Sequence, residues 1–184
     1  MKKKRTLISP FTFHLSLFTF LLFASCSDEV QTDKFSSQNG DIVATRTVKG
    51  SDTTWTFNDA SGAPLIPDCD SIKVTASYPS SQPMEAVFHH KGQQTMIKFY
   101  DEMEKFSEGD IKNGKPDGLW IAYDKNTGKK QSETYFTDGV ENGTYKVYNE
   151  NGTPRVVGQY LNGKKTGEWT FYDIHGVLEG TSTY

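Results

Sequence analysis

Few side chains of this 184-residue chain stand where they could do chemistry together. Beyond the N-terminal segment the histidines are His89, His90 and His175, and Cys69 completes a conceivable zinc inventory. Adjacent residues of a strand point to opposite faces, so His89 and His90 could share one metal only across a bulge. No CxxC, HxH or HExxH spacing occurs, and no metal or cofactor is expected. Asp68 and Asp70 flank Cys69 and work against the thiolate a nucleophile needs. The carboxylates Asp101, Glu102, Glu104, Asp110 and Asp117 carry no pairing signature for acid catalysis, and no nucleophile elbow or phosphate-binding loop is present. No catalytic residue is therefore expected. Regularity lies instead in three tyrosines, Tyr123, Tyr148 and Tyr172, spaced 25 and 24 residues apart (148 − 123, 172 − 148). A tyrosine buries large area at low entropic cost and keeps a hydroxyl for hydrogen bonding, so this ladder is the candidate binding face, able to take sugar rings or an extended peptide.

The elements that must carry the tyrosines are repeats. Asn113-Gly114, Asp138-Gly139 and Asn162-Gly163 recur 25 and 24 residues apart (139 − 114, 163 − 139). Each is followed by a second glycine (Gly118, Gly143, Gly167), an aromatic (Trp120, Tyr145, Trp169) and then the tyrosine. Asn-Gly and Asp-Gly suit tight hairpin turns, and the aromatic, β-branched phrases between them suit strands. A period in this range marks an array in which one unit stacks on the next. The fold class expected is all-β, an antiparallel hairpin array over 96–184 that forms an extended meander, preceded by an irregular β region or cap over 43–95.

Alternation puts Trp120 with Ala122, Tyr145 with Val147, and Trp169 with Phe171 on one side, which is expected to be core; the tyrosines take the other, more polar side. Small residues, Gly109, Thr134, Gly158 and Ser182, leave room on the return strands for a neighbour's large aromatic. Tyr184 stands where a fourth unit would open.

At these positions the sequence resembles a known pattern. The run from Gly158 through Tyr160, Gly163, Lys164, Gly167 and Trp169 to Tyr172 is similar to the MORN-repeat variant of bacterial proteins grouped with the YwqK-type antitoxin family. The resemblance covers about half of the chain. It implies an open β-hairpin fold, and the family name implies binding to a toxin partner, so an antitoxin or immunity role stands beside a binding module and a structural envelope protein.

The chain opens with Met1-Lys2-Lys3-Lys4-Arg5, an apolar run, and Phe23-Ala24-Ser25-Cys26, the layout of a secretory signal over 1–25. The run is too short and interrupted to span a membrane comfortably. Its end resembles a lipobox, which implies cleavage before Cys26 and acylation of that cysteine, the chain's link to a membrane; an ordinary signal cut near Ser25 is the alternative. Ser27-Asp28-Glu29 resembles a surface-export signal of outer-membrane lipoproteins in the cell envelope, or else simply opens a solvated segment. Residues 26–42 are polar and are expected to form a flexible tether. Removing four cations with the signal takes the net charge from −3 to −7 (−3 − 4), so nucleic acid is not an expected partner. A protein or envelope polymer is.

Overall fold

A computed structural model describes residues 29–184. The expected signal segment, Cys26 and most of the acidic run lie outside them. The fold is all-β: β1 (Val30–Ser36), β2 (Ile42–Lys49), β3 (Asp52–Asp59), β4 (Ser71–Ser77), β5 (Pro83–His90), β6 (Gln93–Phe99), β7 (Lys105–Lys112), β8 (Lys115–Tyr123), β9 (Lys130–Thr137), β10 (Val140–Tyr148), β11 (Pro154–Leu161), β12 (Lys164–Tyr172) and β13 (Leu178–Thr183). Strands β4 to β13 form one ten-stranded antiparallel meander in sequence order, and β1–β2–β3 form a separate sheet.

The hairpins turn where the sequence says they should. Asn113, Asp138 and Asn162 take φ of 52°, 50° and 50°, and the glycine after each is also left-handed. Two successive positive φ values make the turn whose twist matches that of the strands, and only Asn, Asp and Gly adopt them cheaply. Neighbouring turns are tied together: the Gly139 amide donates to Pro116 O and the Gly163 amide to Glu141 O, each at 2.8 Å. At the opposite ends the loops are stitched likewise, with Asn149 Nδ2 donating to Asp173 O at 3.1 Å and Asn151 Nδ2 to Ile174 O at 2.6 Å. Asp101–Glu104 closes the β6–β7 hairpin, its ends joined by the Tyr100 amide on Glu104 O.

Two expectations need correction. Residues 26–42 are not a flexible tether throughout, because β1 pairs with β2 along its full length, from Val30 opposite Lys49 to Ser36 opposite Val43. Polar composition hid a strand with one apolar anchor, Phe35, which faces Ala44 and stacks on Trp55 with ring centroids 5.8 Å apart. Secondly, the line between a β cap and the array does not fall at 95/96, which lies inside β6; β4 and β5 already belong to the long sheet.

The core also lies on the other side of the sheet from the one expected. Alternation itself holds: Ala86, Ile97, Glu108, Ile121, Glu133, Lys146, Val157 and Thr170 pair successively across the sheet as one row, and Trp120 and Tyr145 belong to the neighbouring row on the opposite face. The two-layer core forms on the first of these faces, the tyrosine face, where Ile42, Ala44 and Phe57 of the small sheet meet Ala86, Phe88, Ile97 and Phe99. Phe57 sits at its centre, stacked on Phe99 and edge-on to Phe88, each at 5.4 Å. From β8 onward, among the described residues, the sheet is one layer thick, and most side chains are half-buried on both faces.

Trp120 and Trp169 are nevertheless buried, laid against the face opposite that core. Each indole lies over a glycine of the preceding strand: a Cβ on Gly109 would come within 2.5 Å of Trp120 and one on Gly158 within 2.3 Å of Trp169. Tyr145, Tyr160 and Tyr184 crowd the second indole at 5.3 to 5.8 Å. Flat aromatic cover over bare backbone thus substitutes for a second layer.

Candidate functional site

The candidate tyrosines occupy one line on the tyrosine face, and a fourth residue belongs to it. Phe99, Tyr123, Tyr148 and Tyr172 each stand at the end of a strand, opposite Lys105, Lys130, Pro154 and Leu178. At every rung the return strand carries an extra residue, Phe106, Gln131, Arg155 or Glu179, so a bulge recurs beside each aromatic. Phe99 is fully buried beneath Phe57. The rung covered by protein is the one without a hydroxyl, and the other three are tyrosines, of which Tyr123 borders Ile42 of the small sheet and Leu65 across a cleft.

Two of these hydroxyls are already engaged. Tyr123 donates to Glu108, whose other oxygen pairs with Lys105 at 2.8 Å, and the Lys105 ammonium lies 5.2 Å from the Tyr123 ring centre. The same group recurs 25 residues on, where Tyr148 donates to Glu133 at 2.9 Å, Lys130 pairs with Glu133 at 2.6 Å and lies 5.7 Å from the Tyr148 ring. Desolvation first, then the hydrogen bond to Glu108, pushes the Tyr123 hydroxyl well above the ordinary tyrosine range. The same causes, with Glu133 as acceptor, push Tyr148 up to about 12. Burial tends to raise the Glu133 carboxyl, but hydrogen bonds from Lys130 and Tyr148 outweigh it and hold the group below its usual value. These lysine–glutamate–tyrosine groups were missed in the sequence, though the 25-residue recurrence of Lys105 with Lys130 and Glu108 with Glu133 was there to find.

The third tyrosine differs. Val157 takes the place of the glutamate and Pro154 that of the lysine, so Tyr172 has neither partner. A groove of about 470 Å³ opens between the loops beside Tyr148, lined by Lys129, Lys130, Tyr148, Arg155 and Ile174.

The other sequence candidates are not brought together. His89 contacts Gln94 at 3.3 Å, His90 reaches Asp68 O at 2.9 Å, and His175 lies in the β12–β13 loop. The half-buried Cys69 thiol donates to Ser71 O at 3.2 Å. No group of three His, Cys, Asp or Glu among the described residues is placed to hold a metal ion. What the geometry defines is a single-layer β-hairpin repeat protein with a small sheet docked over one end. No family model matches the chain, and no curated protein matches it.

Proposed function

We propose that this protein is a nonenzymatic binding module, a lipoprotein held to the cell envelope through an acyl chain on Cys26, which presents its hairpin array to a protein or envelope partner. One observation carries the reading: the aromatic line continues past the small sheet, so Tyr148 and Tyr172 lie half-buried on a face without a second layer among the described residues, while Tyr123 borders Ile42 and Leu65 across a cleft at the edge of that layer. Rungs one strand pair apart are separated by two inter-strand steps, roughly 9.5 Å, a pitch an extended chain can follow. Half-exposed aromatics fixed on rigid strands bind at little entropic cost. The MORN-like resemblance and the lipobox-like end of the N-terminal segment support the same reading.

The test is crosslinking in intact cells with wild type, Tyr148→Ser and Tyr172→Ser, alongside their melting curves. Crosslinks lost with melting preserved are the expected result. Crosslinks unchanged in both variants would move the binding surface off this face.

A further inference from the structure

The small sheet is seated on the long one at one end only. Ile42, Ala44 and Phe57 carry it into the core, with Phe35 and Trp55 packed alongside. Past these residues the three strands keep their pairing, Val30 opposite Lys49 and Lys49 opposite Asp52, without a register shift. Val30, Gln31, Thr32, Asp52, Thr53 and Thr54 are all exposed in that stretch, and Val48 stands outside the core cluster. A paired stub about three residues deep, roughly 10 Å, therefore projects beyond the two-layer sandwich. Val30, 54% exposed, is the apolar side chain at its tip, and Lys49 beside it makes no ion pair among the described residues.

The first residue of β1 lies at that tip, close in sequence to the expected anchor. Val30 follows Cys26 by four residues (30 − 26), a covalent reach of at most about 14 Å. The Lys49–Asp52 turn is one further strand spacing away, about 5 Å. We propose that this tip, Val30 with the Lys49–Asp52 turn, is the surface that meets the phospholipid headgroups, and that the small sheet is a stiff stand carrying the array away from them. The proposal rests on the lipoprotein reading, in which a diacylglyceryl group on Cys26 fixes that residue at headgroup depth. A polar tether as long as residues 26–42 would let the fold turn freely; pairing of β1 from Val30 onward removes that slack. β3 runs seven residues from Asp52 to Asp59 (59 − 52), so the end that holds Phe57 in the core is set roughly 24 Å from the tip. An exposed valine next to a lysine suits the headgroup layer, where an apolar group and a cation each find a partner.

The test uses the full chain, acylated in cells and reconstituted in vesicles of phosphatidylethanolamine and phosphatidylglycerol doped with a nitroxide-headgroup lipid. A bimane fluorophore is placed on Ser51→Cys in the turn or on Ala60→Cys past the far end of β3, both exposed positions, in a Cys69→Ser background. The nitroxide should quench the Ser51→Cys probe at least about twofold more than the Ala60→Cys probe, given their separation along β3. A Gly-Ser spacer of about twelve residues between Glu29 and Val30, with a mean span of roughly 20 Å, should abolish that difference while melting is preserved. Equal quenching at the two sites, stronger quenching of the Ala60→Cys probe, or a difference that survives the spacer would overturn the proposal. Where the chain still takes up a clickable fatty acid, each of those results leaves the lipoprotein reading standing and removes only this one. Absence of the label, with no quenching at either site, would remove both.

Discussion

Gly158→Ala tests the claim that tryptophans lying on glycines replace a second layer. The added methyl would stand 2.3 Å from Trp169 Cδ2 and 2.4 Å from Cε2, both atoms of a ring fully enclosed by three tyrosines. Carbon atoms rest at about 3.5 to 4.0 Å, so the indole must retreat by more than 1 Å or leave its seat. Overpacking costs about 1 to 3 kcal/mol, and complete loss of the indole's contacts, as in Trp169→Ala, about 3 to 5 kcal/mol. Gly158→Ala should therefore cost about 2 to 4 kcal/mol, against the roughly 0.5 to 1 kcal/mol that alanine gains over glycine in a strand. Gly180→Ala is the control: its Cβ would meet nothing within 4 Å, and the change should be neutral or slightly stabilising. Urea unfolding followed by far-UV circular dichroism, at unchanged denaturant dependence, reads these differences. The double variant is the sharper measurement. Once Trp169 is alanine the methyl at 158 has room, so the two losses should fall short of additive by about 2 kcal/mol. An additive cycle, or a Gly158→Ala variant as stable as Gly180→Ala, would refute the reasoning.

Phe57→Ala should cost about 3 to 5 kcal/mol, because it removes the ring that covers both Phe88 and Phe99; a loss below 1 kcal/mol would mean the small sheet is not held by this contact. The Tyr148 proton is bound more tightly in the folded chain, so its contribution is complete below the ordinary tyrosine value and is lost as pH rises toward about 12. Melting temperature should fall over that interval, and Tyr148→Phe should flatten the fall; identical alkaline limbs would refute the pairing. Glu133 gives the opposite limb, with stability present above its usual value near 4.5 and lost as pH drops through its lowered one, a loss Glu133→Gln should abolish. Cys26→Ser should release the chain from membranes and abolish labelling by a clickable fatty acid. Persistent labelling would remove the lipid anchor.

The hairpins were legible because their turns are chemically constrained: Asn113-Gly114 and its two copies leave the backbone little choice, and the period aligned every strand from β8 on. Pairing of tryptophan with glycine was legible for the same reason, since Gly109 and Gly158 are small at fixed intervals from Trp120 and Trp169. β1 was not, because its pattern is set by a partner sheet, and a lone Phe35 among polar residues gives no period to read. The side of the core was missed because alternation sorts residues into two faces but does not say which one a remote segment will cover; Phe57 decides that, from 42 residues before Phe99 (99 − 57). Of the candidate site, the tyrosines were visible as a spacing. Their lysine and glutamate companions repeat on the same period, but charged residues on a strand do not by themselves point to a tyrosine, and the exception at Val157 gains meaning only once Glu108 and Glu133 accept from the hydroxyls.

Strand order has a consequence for how the chain comes to be folded. Every strand of the long sheet pairs only with those immediately before and after it in sequence, and the small sheet lies on the strands that follow it directly. No early segment has to wait for a late one. Low sequence separation between contacts favours rapid folding, and a meander of this kind can form in the direction in which the polypeptide emerges, each hairpin settling on the one already made. The strands of the sandwich around Phe57 precede those of the single-layer array in sequence, so they leave the ribosome before them. Interruption at any turn would leave a shorter array with the same start, so the number of hairpins can change without disturbing the two-layer end.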